Sequence, residues 1–89
     1  MSASRLPDYL DHMRQAIADA QSFVDGMAQA DFMQDKRTQQ AVVMSLIVLG
    51  EAATKVMDQH ADFAAEHGQI PWRNMRGMRN RIAHGYFDI

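Results

Sequence analysis

Apolar residues recur along most of this chain at spacings of three and four, the period of one helix face, and the alternation by two that marks a strand is missing. Leu6, Leu10, Met13, Ile17, Ala20, Val24 and Met27 follow at four and three without a break. That pattern predicts a first helix over residues 4 to about 29 with a narrow apolar seam. Pro7 suits its first turn, where a missing N–H costs nothing, and Asp8 beside it favours the positive helix end. Residues 30–35 read as a connector, with Asp31 and Gln34 spaced to cap a short turn and Asp35 placed to cap the next helix.

That second long helix spans residues 36 to 59. Val42, Leu46, Leu49, Ala53 and Val56 form one apolar face, and Val43, Ile47, Gly50 and Thr54 form another. A helix apolar on two sides is the central member of a bundle, or is shared with a second subunit. Gly50 and Ala52-Ala53 allow close backbone approach. Glu51 stands in this apolar middle, where a charge is costly unless paired, so a buried bridge to one of the C-terminal arginines is expected. Residues 60–67 form a shorter helix that Gly68 ends, and Pro71 opens the last helix, with Trp72, Met75 and Met78 for the core. Gly77 weakens that helix by about 1 kcal/mol relative to Ala, which points to a tight contact or a bend. The fold expected over residues 1–89 is all-α, one antiparallel bundle of four or so helices. At this size a chain buries only about 60–65% of its unfolded surface, so pairing as a symmetric homodimer is expected as well.

Composition narrows the function classes. The chain is 47% hydrophobic and 22% charged, which fits a folded soluble domain, and its lack of cysteine excludes disulfides, thiolate–zinc sites and thiol catalysis. No basic-then-apolar leader opens it, and the longest apolar run, residues 41–50, is about half of a membrane span. A cytoplasmic protein with no membrane partner is expected. Net charge is −2, but residues 71–89 hold four Arg against one acid while residues 8–35 hold six Asp against one Arg. A basic end on an acidic body attracts phosphate locally.

The chemistry gathers in that basic end, residues 70–89, which also carries the single Trp. His84 follows Arg79-Asn80-Arg81 and precedes Gly85-Tyr86. A lone histidine near a chain end is commonly a capping or surface residue, but one beside guanidinium groups has what phosphodiester cleavage needs. RNA supplies its own nucleophile in the 2′-OH, so the protein need add only a proton acceptor, a proton donor and positive charge on the phosphate. Positions five apart on a helix differ by about 140° of rotation, so Arg79 and His84 meet only if the helix bends or two chains share one cleft. The rest offers less. His60 and His67 stand about 10.5 Å apart along a helix face, too far to share a metal, and no Gly-rich phosphate loop is present. No cofactor and no metal site is expected, and the eight Met residues read as core and contact surface.

The run Arg79-Asn80-x-x-x-His84-x-Tyr86 resembles the R-x4-H-x-Y signature of HEPN domains, specifically the HepT-like toxins. The segments I-P-W-R-N-M-R-G-M and Leu49-Gly50-Glu51-Ala52-Ala53 are also similar to that subfamily, and the resemblance covers almost the whole chain. It implies a metal-independent endoribonuclease toxin, dimeric, with its cleft at the dimer interface. It implies a MNT-type nucleotidyltransferase antitoxin as partner, able to adenylylate the motif tyrosine. Carried over, Arg79 stabilises the phosphate, His84 is the acid/base, Asn80 orients or binds RNA, and Tyr86 is the modified residue. From the residues alone, Arg73, Arg76 and Arg81 are candidate contacts to backbone phosphates, and Glu51 is a supporting residue behind the site. Members of the family continue past the tyrosine into a further helix, which this chain, ending at Ile89, is expected to lack. A second reading is a catalytically silent HEPN module that dimerises and docks the nucleotidyltransferase. A third is a plain helical bundle with a basic tip.

Overall fold

The computed structural model describes residues 4–87, and the side chains of 86 and 87 fall outside that description. Among the described residues there are five helices and no strand: α1 (Leu6–Val24), α2 (Gln29–Met33), α3 (Lys36–Gln59), α4 (Ala61–Glu66) and α5 (Trp72–Phe87). The fold is all-α, with three long helices and two short ones.

Every extensive helix pairing involves α3, which takes α1 and α5 as its two main partners. α3 is thus the central member of its own bundle. The core is small. It consists of Met13 and Ala16 from α1, Leu49, Ala52, Ala53 and Val56 from α3, and Trp72 from α5. Three of these seven are alanines, so the backbones lie close and the apolar area per residue is modest. Tyr9, Leu10, Phe63, Met75 and Met78 close around them. By length and composition α3 would also pass for a membrane span, but its packing against α1 and α5 is that of a core helix.

Helix ends follow local chemistry. Asp35 accepts from the backbone N–H of Thr38 at 3.0 Å and from its hydroxyl at 2.8 Å, capping α3 where expected. α1 ends earlier than its apolar spacing suggests: Asp25 caps it and Gly26, at φ +75°, turns the chain in the left-handed region that favours glycine. Met27 therefore lies beyond the helix although it continues the three-and-four spacing. The buried stripe is also narrower than the seam, with Met13 and Ala16 inside and Ile17 44% exposed, because α1 packs extensively on α3 alone.

The start of α5 is fixed tightly. The Trp72 indole N–H donates to the His67 carbonyl at 3.1 Å, and its ring meets Phe63 edge-on with centroids 6.4 Å apart. Pro71 stands at the head of the first turn, its carbonyl accepting from the Met75 N–H at 3.1 Å.

Asp35 gives a pH prediction. The Thr38 backbone N–H, then its hydroxyl, hold the Asp35 carboxyl below the ordinary aspartate value of about 3.9. A folded value below the unfolded one contributes stability that is full above the ordinary value and is lost as pH falls through it toward the folded value. Asp35→Asn keeps an acceptor but cannot titrate. Subtracting its melting temperatures from those of the parent, measured from neutral pH into acid, should give a difference that shrinks below about pH 4. Parallel curves for the two proteins would show that the cap carries no charge-dependent stability.

Candidate active site

The site is built where α5 crosses α3 at Gly50. A Cβ placed on Gly50 would run into Cβ and Cγ of Arg79 and come within 2.9 Å of the Met75 carbonyl oxygen. The glycine therefore lets the aliphatic stem of Arg79 lie directly on the α3 backbone. One residue further on, about 100° around the helix, Glu51 reaches the Arg79 guanidinium from the side.

That guanidinium is held at two of its three nitrogens. Nη1 donates to the Glu51 carboxylate, and Nε donates to the Asn80 side-chain oxygen at 2.8 Å. Nη2 has no hydrogen bond among the described residues. Arg79 is mostly covered, its side chain 20% exposed, whereas Glu51 is 52% exposed. The expected bridge from Glu51 to a C-terminal arginine is present, but it is not buried. Gly50 and Ala52 take the inward positions and turn the residue between them to the rim.

Glu51, Arg79, Asn80, Ala83 and His84 line one shallow groove of about 510 Å³. α5 runs unbroken through them, and no bend brings Arg79 and His84 together. In rotation Ala83 and Asn80 fall between the two, so the groove wraps about 140° of the helix and holds both at its edges. His84 is exposed. Tyr86 lies on the same helix two residues on, and its side chain is outside the described residues.

The other arginines separate into two kinds. Arg76 is tied to α3, Nη2 donating to Asp58 Oδ1 at 2.6 Å. Arg73 and Arg81 are exposed and make no hydrogen bond or ion pair among the described residues. The Asp58 tie is the contact that sequence reasoning missed. A signal for it exists: Glu51 and Asp58 are seven apart, hence on one face of α3, and that face meets the arginine-rich helix.

The chain matches the family described as "Ribonuclease HepT-like" over residues 13–89. The chain belongs to the HepT-like ribonuclease family. It is 38% identical over 82 residues to a protein named "Probable ribonuclease HepT" from Thermococcus cleftensis, a match covering 92% of this chain and 72% of that one. It is 37% identical over 84 residues to an RNase-named protein of Methanocaldococcus jannaschii, covering 94% of this chain and 64% of the relative. An RNase-named protein of Caldanaerobacter subterraneus is 33% identical over 81 residues, at 91% and 70% coverage. The chain thus spans roughly two thirds of the length of these relatives. No solved structure matches it.

For a HepT-like ribonuclease, an enzyme class of endoribonucleases, the Gly50 contact makes Arg79 a fixed charge instead of a mobile one. An exposed ion pair is worth only about 0.2–1 kcal/mol, so the Glu51 pair orients Arg79 and does not hold the helices together. Gly50→Ala gains about 1 kcal/mol of helix propensity but faces overpacking of about 1–3 kcal/mol, and the atoms in the way, a Cβ and a backbone carbonyl, cannot swing aside. Gly50→Ala should melt lower than the parent, Gly50→Val lower still, and both should cut RNA more slowly with helical circular dichroism retained. A higher melting point with undiminished cleavage would show that the close approach is not required.

Proposed function

We propose that this chain is a metal-independent endoribonuclease that cuts RNA in the groove between Arg79 and His84, using the ribose 2′-OH as nucleophile. The observation that carries the reading is that one groove holds both side chains, with the guanidinium already braced by Glu51 and Asn80. In the reaction the 2′-oxygen bonds to phosphorus and the bond to the 5′-oxygen breaks. The 2′-OH proton goes to a base, and a proton from an acid goes to the departing 5′-oxygen. The products are a 2′,3′-cyclic phosphate and a 5′-hydroxyl end. His84 serves one of the two proton transfers and Arg79, through Nη2, takes the charge of the phosphorane. Arg81, exposed and next to Asn80 on α5, is placed for a neighbouring phosphate.

A single imidazole cannot be acid and base in the same turnover without a second group. A symmetric homodimer supplies another copy of His84, and an apolar surface around Phe23, Met44 and Val48, which are 42%, 61% and 39% exposed, supports such pairing. The same reading takes a MNT-type nucleotidyltransferase as antitoxin, with Tyr86 as the adenylylated residue. AMP there would set negative charge two residues from His84, against the charge of the incoming RNA. That apolar surface equally favours the second reading, a silent module that dimerises and docks the nucleotidyltransferase.

Purified protein incubated with tRNA or total RNA in EDTA separates the two. Cleavage should persist in EDTA, leave cyclic phosphate ends, and fall by about 10²-fold or more in His84→Ala. Arg79→Ala should fall by about 10²–10³-fold, with both variants still folded by circular dichroism. RNA left intact by the parent, or cut equally by His84→Ala, favours the silent module.

A further inference from the structure

The exposed side of α5 joins the candidate active site to a second groove. Arg73, Gly77, Asn80 and His84 follow at four, three and four residues. They fall within about 60° of rotation and form one line about 16.5 Å long. One end of the line is the Arg79–His84 groove. The other opens into a concavity of about 540 Å³ between the end of α3, α4 and the start of α5. Met57, Ala61, Ala64 and Trp72 give it an apolar floor, and the Arg76–Asp58 ion pair lines it together with Arg73 and Asn74.

Two features of the line are not explained by packing. A Cβ at Gly77 would meet nothing within 4 Å, so no neighbour requires the glycine, although glycine in mid-helix weakens the helix. Its effect is to leave low, bare backbone between the two grooves. Arg73 is exposed and without a partner among the described residues, whereas Arg76, three residues on, is committed to Asp58.

We infer that the α4–α5 groove is a distal nucleotide subsite for single-stranded RNA. A strand cut beside His84 passes over Gly77 and sets a nucleotide a few positions from the scissile phosphate, its base on the apolar floor and its phosphate on Arg73. The inference rests on the ribonuclease reading for the identity of the ligand. Single strands suit it because their unstacked bases can turn into a pocket, which a duplex does not allow.

Binding of strands 2′-O-methylated throughout tests the subsite without relying on cleavage. A strand of about ten nucleotides should bind Gly77→Gln and Arg73→Ala about tenfold more weakly than the parent. A trinucleotide, too short to reach the second groove, should bind the variants as it binds the parent. Gly77→Gln should melt higher than the parent, which loss of fold cannot produce. Arg73→Ala should also lower the slope of log affinity against log salt by about 0.7, the share of one phosphate contact on a single strand. Unchanged affinity for the long strand, or equal losses on long and short strands, overturns the subsite. Failure of the parent to cleave unmodified RNA, with the length-dependent binding intact, overturns the ribonuclease reading and leaves the subsite standing.

Discussion

At Gly50 the backbone of α3 and the stem of Arg79 on α5 lie closer than any side chain would permit, and the geometry of the candidate site follows from that approach. The approach sets the guanidinium beside Glu51 and Asn80, which brace it at Nη1 and Nε. The ion pair cannot impose the closeness, since partly exposed pairs are worth about 0.2–1 kcal/mol. The apolar contacts of Leu49, Ala53, Val56 and Trp72 impose it, and the charged atoms take the positions that are left.

The rotation of α5 is set at two points about 10.5 Å apart. Trp72 fixes the start through its hydrogen bond to the His67 carbonyl and its edge-on contact with Phe63. Arg79, two turns on, fixes the middle against Gly50. With both held, the inner side of the helix is used up and the outer side is obliged to present Arg73, Gly77, Asn80 and His84 in a row. Arg79 and His84, at the two edges of a groove that wraps about 140° of α5, share it without a bend because Glu51 of α3 supplies its rim.

Much of this is readable from residue order. Asp35, with its hydroxyl-bearing partner three residues on, announces the start of α3, and Pro71-Trp72 announces that of α5. The end of α1 is hidden because Met27 continues the apolar spacing, and spacing reports side chains, not the backbone reversal that Asp25-Gly26 makes. Glu51 discloses that it needs a cation, since it interrupts an apolar run. It does not disclose its exposure, because a rotation of one residue between Gly50 and Ala52 decides that, and only the packed position of α5 fixes the rotation. The shared groove of Arg79 and His84 is hidden for a related reason. Its width comes from the rim that α3 supplies, and a helical wheel of α5 alone contains no α3.

A chain of net charge −2 can still present a cationic strip to RNA, and the ion pairs show how. Two acids of α3 face the arginine-rich helix, and each consumes one arginine: Glu51 takes Arg79 and Asp58 takes Arg76. Local charge at those points is near zero, and the unpaired cations among the described residues of α5 are Arg73 and Arg81, well separated along the helix. The aspartates of α1 pair in part with their own neighbours, Asp8 with Arg5 and Asp11 with Arg14. At physiological salt, charges more than about 8 Å away are largely screened. Affinity for a polyanion is then governed by the few charges that line its path and hardly by the total. The pairing of Arg79 leaves one nitrogen of its guanidinium, Nη2, without a hydrogen bond among the described residues, and the residue still lines the groove with His84.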